Sequence, residues 1–325
     1  ELGLTPLSLA AHGTELMHLL LLGCTGFVGR ELVPQLLKAG HQLTLVSRRL
    51  ARGYDTERSD GRLSWLQLDP AAVSSWQDST LLAALERAEG VVNLAGEPIA
   101  EKRWTVSHLK VLEDSRLDTT RLLVEALKTC STPPAVLVNA SAIGYYGTSP
   151  DRRFVETSPA GSDFLASLCS RWEAAATAAP SATRQLTLRI GIVVAADGGA
   201  LGKMLPVFRT GFGGPIGSGQ QWMSWIHRSD LCRLIQCGLE DEAWSGVVNA
   251  VAPEPVSMAQ FAQELGRCLG RPSLLPVPGP VLQVLLGDGA KVVLEGQQVA
   301  SARLDELGFS FRFPDLASAI AASTN

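Results

Sequence analysis

The stretch His18-Leu19-Leu20-Leu21-Leu22-Gly23-Cys24-Thr25-Gly26-Phe27-Val28-Gly29 decides the architecture. Its first five residues read as a buried strand. Glycines at 23, 26 and 29 then space a G-x-x-G-x-x-G turn, and Gly29 to Ala39 carries apolar residues three and four apart until Gly40 closes a helix. Strand, glycine turn and helix in that order gather backbone N–H groups and the positive end of a helix dipole at one point. A dinucleotide pyrophosphate suits such a point, because glycines allow both the tight turn and the close approach of the main chain. Gly23, Thr25, Gly26, Phe27, Val28 and Gly29 are therefore candidate cofactor contacts.

Working outward, short apolar runs alternate with amphipathic helical stretches, the pattern of a parallel sheet covered on both faces. Strands are predicted at His18 to Leu22, Gln42 to Val46, Leu63 to Leu68, Gly90 to Leu94, Ala135 to Ala140 and Leu186 to Val194. Helices are predicted at Gly29 to Ala39, Thr105 to Lys128 and Asp163 to Ala179. This is an α/β, Rossmann-like doubly wound sheet spanning residues 17–195, joined by later strands from about 221–250. A smaller C-terminal α/β lobe, 196–325, opens on the glycine-rich stretch Gly198 to Gly219 and ends in a helical domain of about 276–325.

The second strand ends in Val46-Ser47-Arg48-Arg49, about twenty residues past the glycine turn, where an NAD-binding chain places a carboxylate on the ribose hydroxyls. A hydroxyl and two guanidiniums match a 2′-phosphate instead, so NADP(H) is the expected cofactor, held by Ser47, Arg48 and Arg49. Asp69, before Pro70, is a candidate acceptor for the adenine amino group, and an Asp-Pro turn explains it as well. The fourth strand ends in Asn93-Leu94-Ala95-Gly96, at the carboxyl edge where ligands bind in open α/β sheets, which adds Leu94, Ala95 and Gly96.

Composition narrows the function classes. With 325 residues, the chain has room for about two domains. Its 28 Lys and Arg against 32 Asp and Glu leave no basic stripe for nucleic acid, and no apolar run approaches the ~20 residues of a membrane span. Six scattered cysteines read as reduced thiols of a cytosol-like compartment, and five histidines with no i, i+4 pair argue against a metal site. Residues 1–16 are expected to lie outside the fold, as a leader or expression-derived segment or the stub of a transit sequence. Met17 reads as the natural start. The expected location is cytoplasmic, or the plastid stroma in the transit-sequence reading.

Several motifs recur in order: Ser115-Arg116-Leu117, Ser141 to Gly147, Trp172-Glu173, Arg189-Ile190-Gly191, Gly213 to Gly219, Trp225-Ile226-His227 with Asp230, and Asn249-Ala250. With them the chain resembles the extended short-chain dehydrogenases/reductases, the superfamily of nucleotide-sugar epimerases and dehydratases. Within these it resembles the atypical epimerase family subgroup with a C-terminal DUF1731-type domain. The resemblance covers nearly all of Met17 to Asn325. It implies Arg116, Ala140 and Gly191 as further cofactor contacts, Ser141 on the substrate oxygen, and a small, sugar-like substrate. It also implies a homodimer or protein partner, with Thr105 to Lys128 as a candidate dimer helix.

The departures carry equal weight. Members of the superfamily use Tyr with Lys four residues later, the Lys lowering the phenol pKa from ~10. Tyr54, Tyr145 and Tyr146 are followed at that distance by Arg58, Ser149 and Pro150, while Cys169 and Glu173 stand at the Tyr and Lys places. Two readings follow. In one, an oxidoreductase or epimerase-like enzyme takes its proton through Ser141, Tyr146, Cys169 or Glu173, with Glu173 beside Trp172 a candidate acid. In the other, the chain binds NADPH as a regulatory or scaffold protein without turnover, for example in division of a cell or plastid. His227 and Asp230 are expected to cap a helix.

Overall fold

A computed structural model describes residues 16–49 and 58–324. Of the segment set apart at the N-terminus, residues 1–15 lie outside the described residues, and so does Tyr54. The first half alternates strand and helix: β1 His18–Leu22, α1 Gly29–Lys38, β2 Gln42–Ser47, β3 Leu63–Gln67, α2 Ser79–Arg87, β4 Gly90–Asn93, α3 Val106–Thr129, β5 Val136–Ala142. A short β6, Arg153–Phe154, precedes α4, Phe164–Thr177, and β7, Arg184–Ile190. The second half runs through β8 Ile192–Ala195, α5 Gly199–Arg209, β9 Trp222–Met223, β10 Trp225–His227, α6 Arg228–Glu240 and β11 Gly246–Ala250. It ends in β12 Val256–Ser257, α7 Met258–Leu269, α8 Gly279–Leu286, α9 Lys291–Leu294, β13 Gln298–Val299, α10 Ala302–Glu306 and α11 Leu316–Thr324.

Seven strands form one sheet in the order β3-β2-β1-β4-β5-β7-β11, every pairing parallel. The order reverses between β1 and β4, which opens a crevice at their carboxyl ends. The unbroken leucines of β1 follow from burial on both faces. Leu19 and Leu21 pack with Leu32 and Leu36 of α1 and with Leu231 and Ile235 of α6, whereas Leu20 and Leu22 face Leu81 and Leu85 of α2 and Leu127 of α3. Each fully buried leucine contributes about 1.5–3 kcal/mol, which fixes the register that aims the glycine turn.

Three elements differ from expectation. The run Leu186 to Val194, read as one strand, breaks at Gly191 into β7 and β8. A Cβ there would stand 2.6 Å from the Ser224 carbonyl oxygen, and β8 leaves the sheet to pair with β10, carrying the chain into the second lobe. Helix α2 went unpredicted although Asp78 caps it, accepting from the Thr80 and Leu81 N–H groups. The glycine-rich stretch 198–219 contains an eleven-residue helix, α5. Its Leu201, Leu205 and Phe208 join Trp225, Phe261 and Ile320 in the core of the second lobe.

Asp230, buried at the start of α6, ties the C-terminal segment down. Its two carboxylate oxygens accept from Arg312 N at 2.8 Å and Phe313 N at 2.9 Å, and Arg233 pairs with it at 3.0 Å. Neighbouring His227 is the N-cap of α6, its Nδ1 accepting from Ser229 N at 3.2 Å. Burial pushes that imidazole below its usual pKa, which preserves the acceptor. Among the described residues no helix is long and apolar enough to cross a membrane.

Candidate active site

The glycine turn shows which glycine serves the fold and which serves a ligand. A Cβ on Gly23 (φ 75°) would lie 2.5 Å from Ala95 N, and one on Gly29 would lie 1.8 Å from the Cys24 carbonyl oxygen. Those two let the turn pack against Leu94–Ala95 and let α1 sit close to β1. A Cβ on Gly26 meets only the Gly23 oxygen, at 3.7 Å. Nothing in the protein demands a glycine there, so the open space belongs to whatever the turn cradles. Val28 precedes α1 with no side-chain cap, while Arg30 N and Glu31 N bond the Gly26 and Val28 carbonyls. Thr25 is half-buried in the same turn. Phe27 packs beneath Gly198 and Gly199, with the Arg228 guanidinium 4.9 Å from its ring centroid. These features fit a dinucleotide.

At the far end of the crevice, Ser47 is buried and its hydroxyl donates to the Arg49 carbonyl and accepts from Trp65 Nε1. Arg48 is 65% exposed, its guanidinium 3.7 Å from Glu97. Arg49 is exposed. Asp69 is exposed too and closes an Asx turn, Oδ1 accepting from Ala71 N at 3.1 Å. Gly96 faces Arg116, whose guanidinium donates to the Leu112 and Glu97 carbonyls and lies 5.4 Å from the Trp172 ring centroid. Burial pushes the Arg116 pKa down. Ala140 is buried in β5.

The catalytic candidates converge where β5, α4 and β7 meet. Ser141 Oγ donates to Glu173 Oε1 at 2.6 Å. Glu173 also receives a bidentate pair from Arg189, Nε to Oε1 at 2.9 Å and Nη2 to Oε2 at 2.8 Å. All three bonds are donated to the carboxyl group, which is an acceptor in this arrangement. Arg189 continues the chain: Nη1 donates to Tyr146 Oη at 2.9 Å and to the Glu156 carbonyl, and the Tyr146 hydroxyl donates to Asn249 Oδ1 at 2.6 Å. Burial pulls the Arg189 pKa down, but Glu173 and Tyr146 outweigh it and the net shift is upward. Burial raises that of Tyr146, whose hydroxyl is committed on both sides and is 3% exposed with its residue. Cys169 lies beside the Ser141 hydroxyl and the Ala142 backbone, and burial followed by the Glu173 charge pushes its thiol up to about 11. At neutral pH it is S–H, not thiolate.

Sequence reasoning singled out Ser141, Tyr146, Cys169 and Glu173, and they form one cluster. It quoted Arg189, the centre of the ladder, within a motif but gave it no role, and it missed Glu156, which accepts from Asn249 N and from Ser301 and Ala302. It also missed the polar layer beneath, where Asn93 Nδ2 donates to Thr120 and Asn139 and Trp172 Nε1 donates to Thr120. The signal was a charged or amide residue inside an otherwise apolar strand, which burial permits only with full hydrogen bonding. Among the described residues no group of three His, Cys, Asp or Glu is placed to hold a metal ion.

Residues 19–250 match the NAD dependent epimerase/dehydratase family, and residues 277–323 match a domain of unknown function, DUF1731. The Arabidopsis thaliana chloroplastic homolog of epimerase family protein SDR39U1 is 41% identical over 302 residues, 92% of this chain and 84% of that protein. Human epimerase family protein SDR39U1 is 39% identical over 308 residues, 94% of this chain and 98% of that one. The crystal structure of the human protein, isoform 2, with NADPH superimposes with a TM-score of 0.84 at 37% identity, covering 94% of this chain and 99% of that chain. Bordetella bronchiseptica WbmG, solved with NAD and UDP, shares the fold at 15% identity and a TM-score of 0.74, covering 95% and 94%. The chain belongs to the NAD dependent epimerase/dehydratase family, as an atypical member close to the SDR39U1 epimerase family proteins.

Proposed function

We propose that this protein is an NADP(H)-dependent oxidoreductase acting on a carbonyl or carbinol compound, with Ser141 on the substrate oxygen and Glu173 as the proton acceptor behind it. The observation that carries the proposal is the 2.6 Å bond from Ser141 to Glu173 at the carboxyl end of β5. A hydroxyl that gives its proton to a carboxylate turns its lone pairs toward an incoming O–H. When bound, the nicotinamide supplies or takes the hydride. During oxidation, the carbinol proton passes to Ser141 Oγ as Ser141 passes its own to Glu173, so the oxygen leaves as a carbonyl and the proton rests on the carboxyl group. Reduction runs the same relay backwards from a protonated Glu173. Arg189 holds the carboxylate in line, and the neutral Cys169 thiol flanks the relay without competing as a nucleophile. Return of hydride to the opposite face of the carbonyl would make the reaction an epimerisation.

NADP(H) rather than NAD(H) is proposed because Arg48 offers an always-charged, exposed guanidinium at the end of β2, and the human relative was crystallised with NADPH. The six cysteines, all unpaired, support a reducing compartment such as the cytoplasm or plastid stroma.

A second reading, an NADPH-binding regulator without turnover, is favoured by the buried Glu173–Arg189 pair, which ties up the side chain at the superfamily's Lys position. The two separate on incubation of the protein with NADPH or NADP and a panel of carbonyl and carbinol compounds. Cofactor turnover that Ser141→Ala lowers by a factor of 10² or more is expected for the enzyme. Tight cofactor binding with no turnover on any compound would establish the regulator.

A further inference from the structure

Beyond the relay, a cavity of about 500 Å³ opens where the second lobe faces the sheet. It begins at Pro98 and Ile99, just past the Gly96 turn, and at Ile192, the first residue of β8. Its far walls come from α5, the 213–216 loop, β9 and α8. The volume lies within the range of pockets that enclose a drug-sized molecule, about 300–1,000 Å³.

The lining is not that of a sugar-nucleotide site. Three of the chain's four methionines, Met204, Met223 and Met258, stand in it with Phe208 and Leu286. Its sole cation among the described residues is Lys203, whose ammonium is turned to the Ala100 carbonyl at 3.1 Å. Glu295 is engaged by Thr148. A diphosphate needs several donors or cations, and sugar hydroxyls need partners once water is excluded. Flexible thioethers instead mould themselves to hydrocarbon. One polar atom is left over: Gln221 donates through Nε2 to the Ile216 and Val293 carbonyls, while its buried Oε1 has no partner. The wall also runs out to an exposed apolar side chain, Val207 at 47% on α5.

We infer that this cavity takes an apolar carbonyl or carbinol compound, a hydrocarbon body with one polar end, and not a nucleotide sugar. The inference rests on the oxidoreductase reading only for the carbonyl end of the ligand; the hydrocarbon body follows from the cavity alone.

Calorimetric titration of the NADPH-loaded protein with hexanal, octanal, nonanal and decanal, and separately with UDP-glucose, tests it. Affinity should rise about fourfold per methylene, with a negative heat-capacity change, and UDP-glucose should give no binding heat. Met204→Lys should weaken decanal binding at least tenfold with NADPH affinity unchanged. Val207→Lys makes the same test at a wall position already half in water, should Met204→Lys fail to fold. Affinity indifferent to chain length, or UDP-glucose binding that both lysine variants spare, would overturn the inference. Chain-length-dependent binding without NADPH oxidation upholds the cavity and removes the oxidoreductase reading. Reduction of NADP by UDP-glucose, with no chain-length trend among the aldehydes, does the reverse.

Discussion

Arg189 shows how one side chain binds chemistry to fold. At 4% exposure near the carboxyl end of β7 it spends its donors on Glu173, Tyr146 and a backbone carbonyl and lies 3.4 Å from the Tyr145 ring centroid. Breaking a buried pair leaves an uncompensated charge, which typically costs about 3–5 kcal/mol, whereas replacing both partners with apolar side chains is often neutral. Glu173→Gln is therefore expected to destabilise by several kcal/mol in urea unfolding, and Glu173→Met with Arg189→Met to recover most of it. A double variant no better than the single would mean that the ladder contributes more than its charges. Arg48 invites the opposite test, because it is mostly in solvent and bears little on stability. Arg48→Asp should remove the preference for the phosphorylated cofactor with the melting temperature unchanged. NADP-over-NAD selectivity that survives would refute the role given to it.

The β1-turn-α1 unit separates fold from binding within seven residues. Gly29→Ala drives a methyl group into the Cys24 carbonyl and should cost at least the ~1–3 kcal/mol of an overpacked site. Gly26→Ala meets nothing closer than 3.7 Å, so it should melt like the parent yet bind NADPH at least tenfold more weakly, as fluorescence titration would read. Equal binding by parent and Gly26→Ala would show that the open space holds no pyrophosphate. This unit was legible in the sequence because its signal is local: a leucine run, three spaced glycines and an amphipathic helix. The break at Gly191 was not, since the reason for it is the Ser224 carbonyl, 33 residues on in sequence and adjacent only in the folded chain. The same holds for the site. Ser141 could be read from its motif, but its bond to Glu173 depends on how α4 packs against β5, and the ladder onward from Arg189 depends on β7 and β11 being neighbours.

At the scale of the whole molecule the buried thiols set an alkaline limit. Cys24 and Cys232 sit in the core between the sheet and the α1–α6 layer, and Cys169 sits beside Ser141 and Ala142. Burial raises all three, Cys169 to about 11 from a free value of 9.0 and the other two further still. The folded chain then holds protons that the unfolded chain releases, so stability falls wherever pH climbs between the two values. The Cys169 contribution is complete below pH 9 and is lost as pH rises from 9 toward 11; those of Cys24 and Cys232 continue to fall above that window. Melting temperature is therefore expected to hold level from pH 7 to about 8.5 and to decline steadily from there to pH 10.5. Cys232→Ala, which removes one such thiol at the cost of a small cavity, should start lower at pH 7 but fall less steeply. A parallel decline in parent and variant would show that other groups govern the alkaline limb, and that burial of this thiol is not what couples the core to pH.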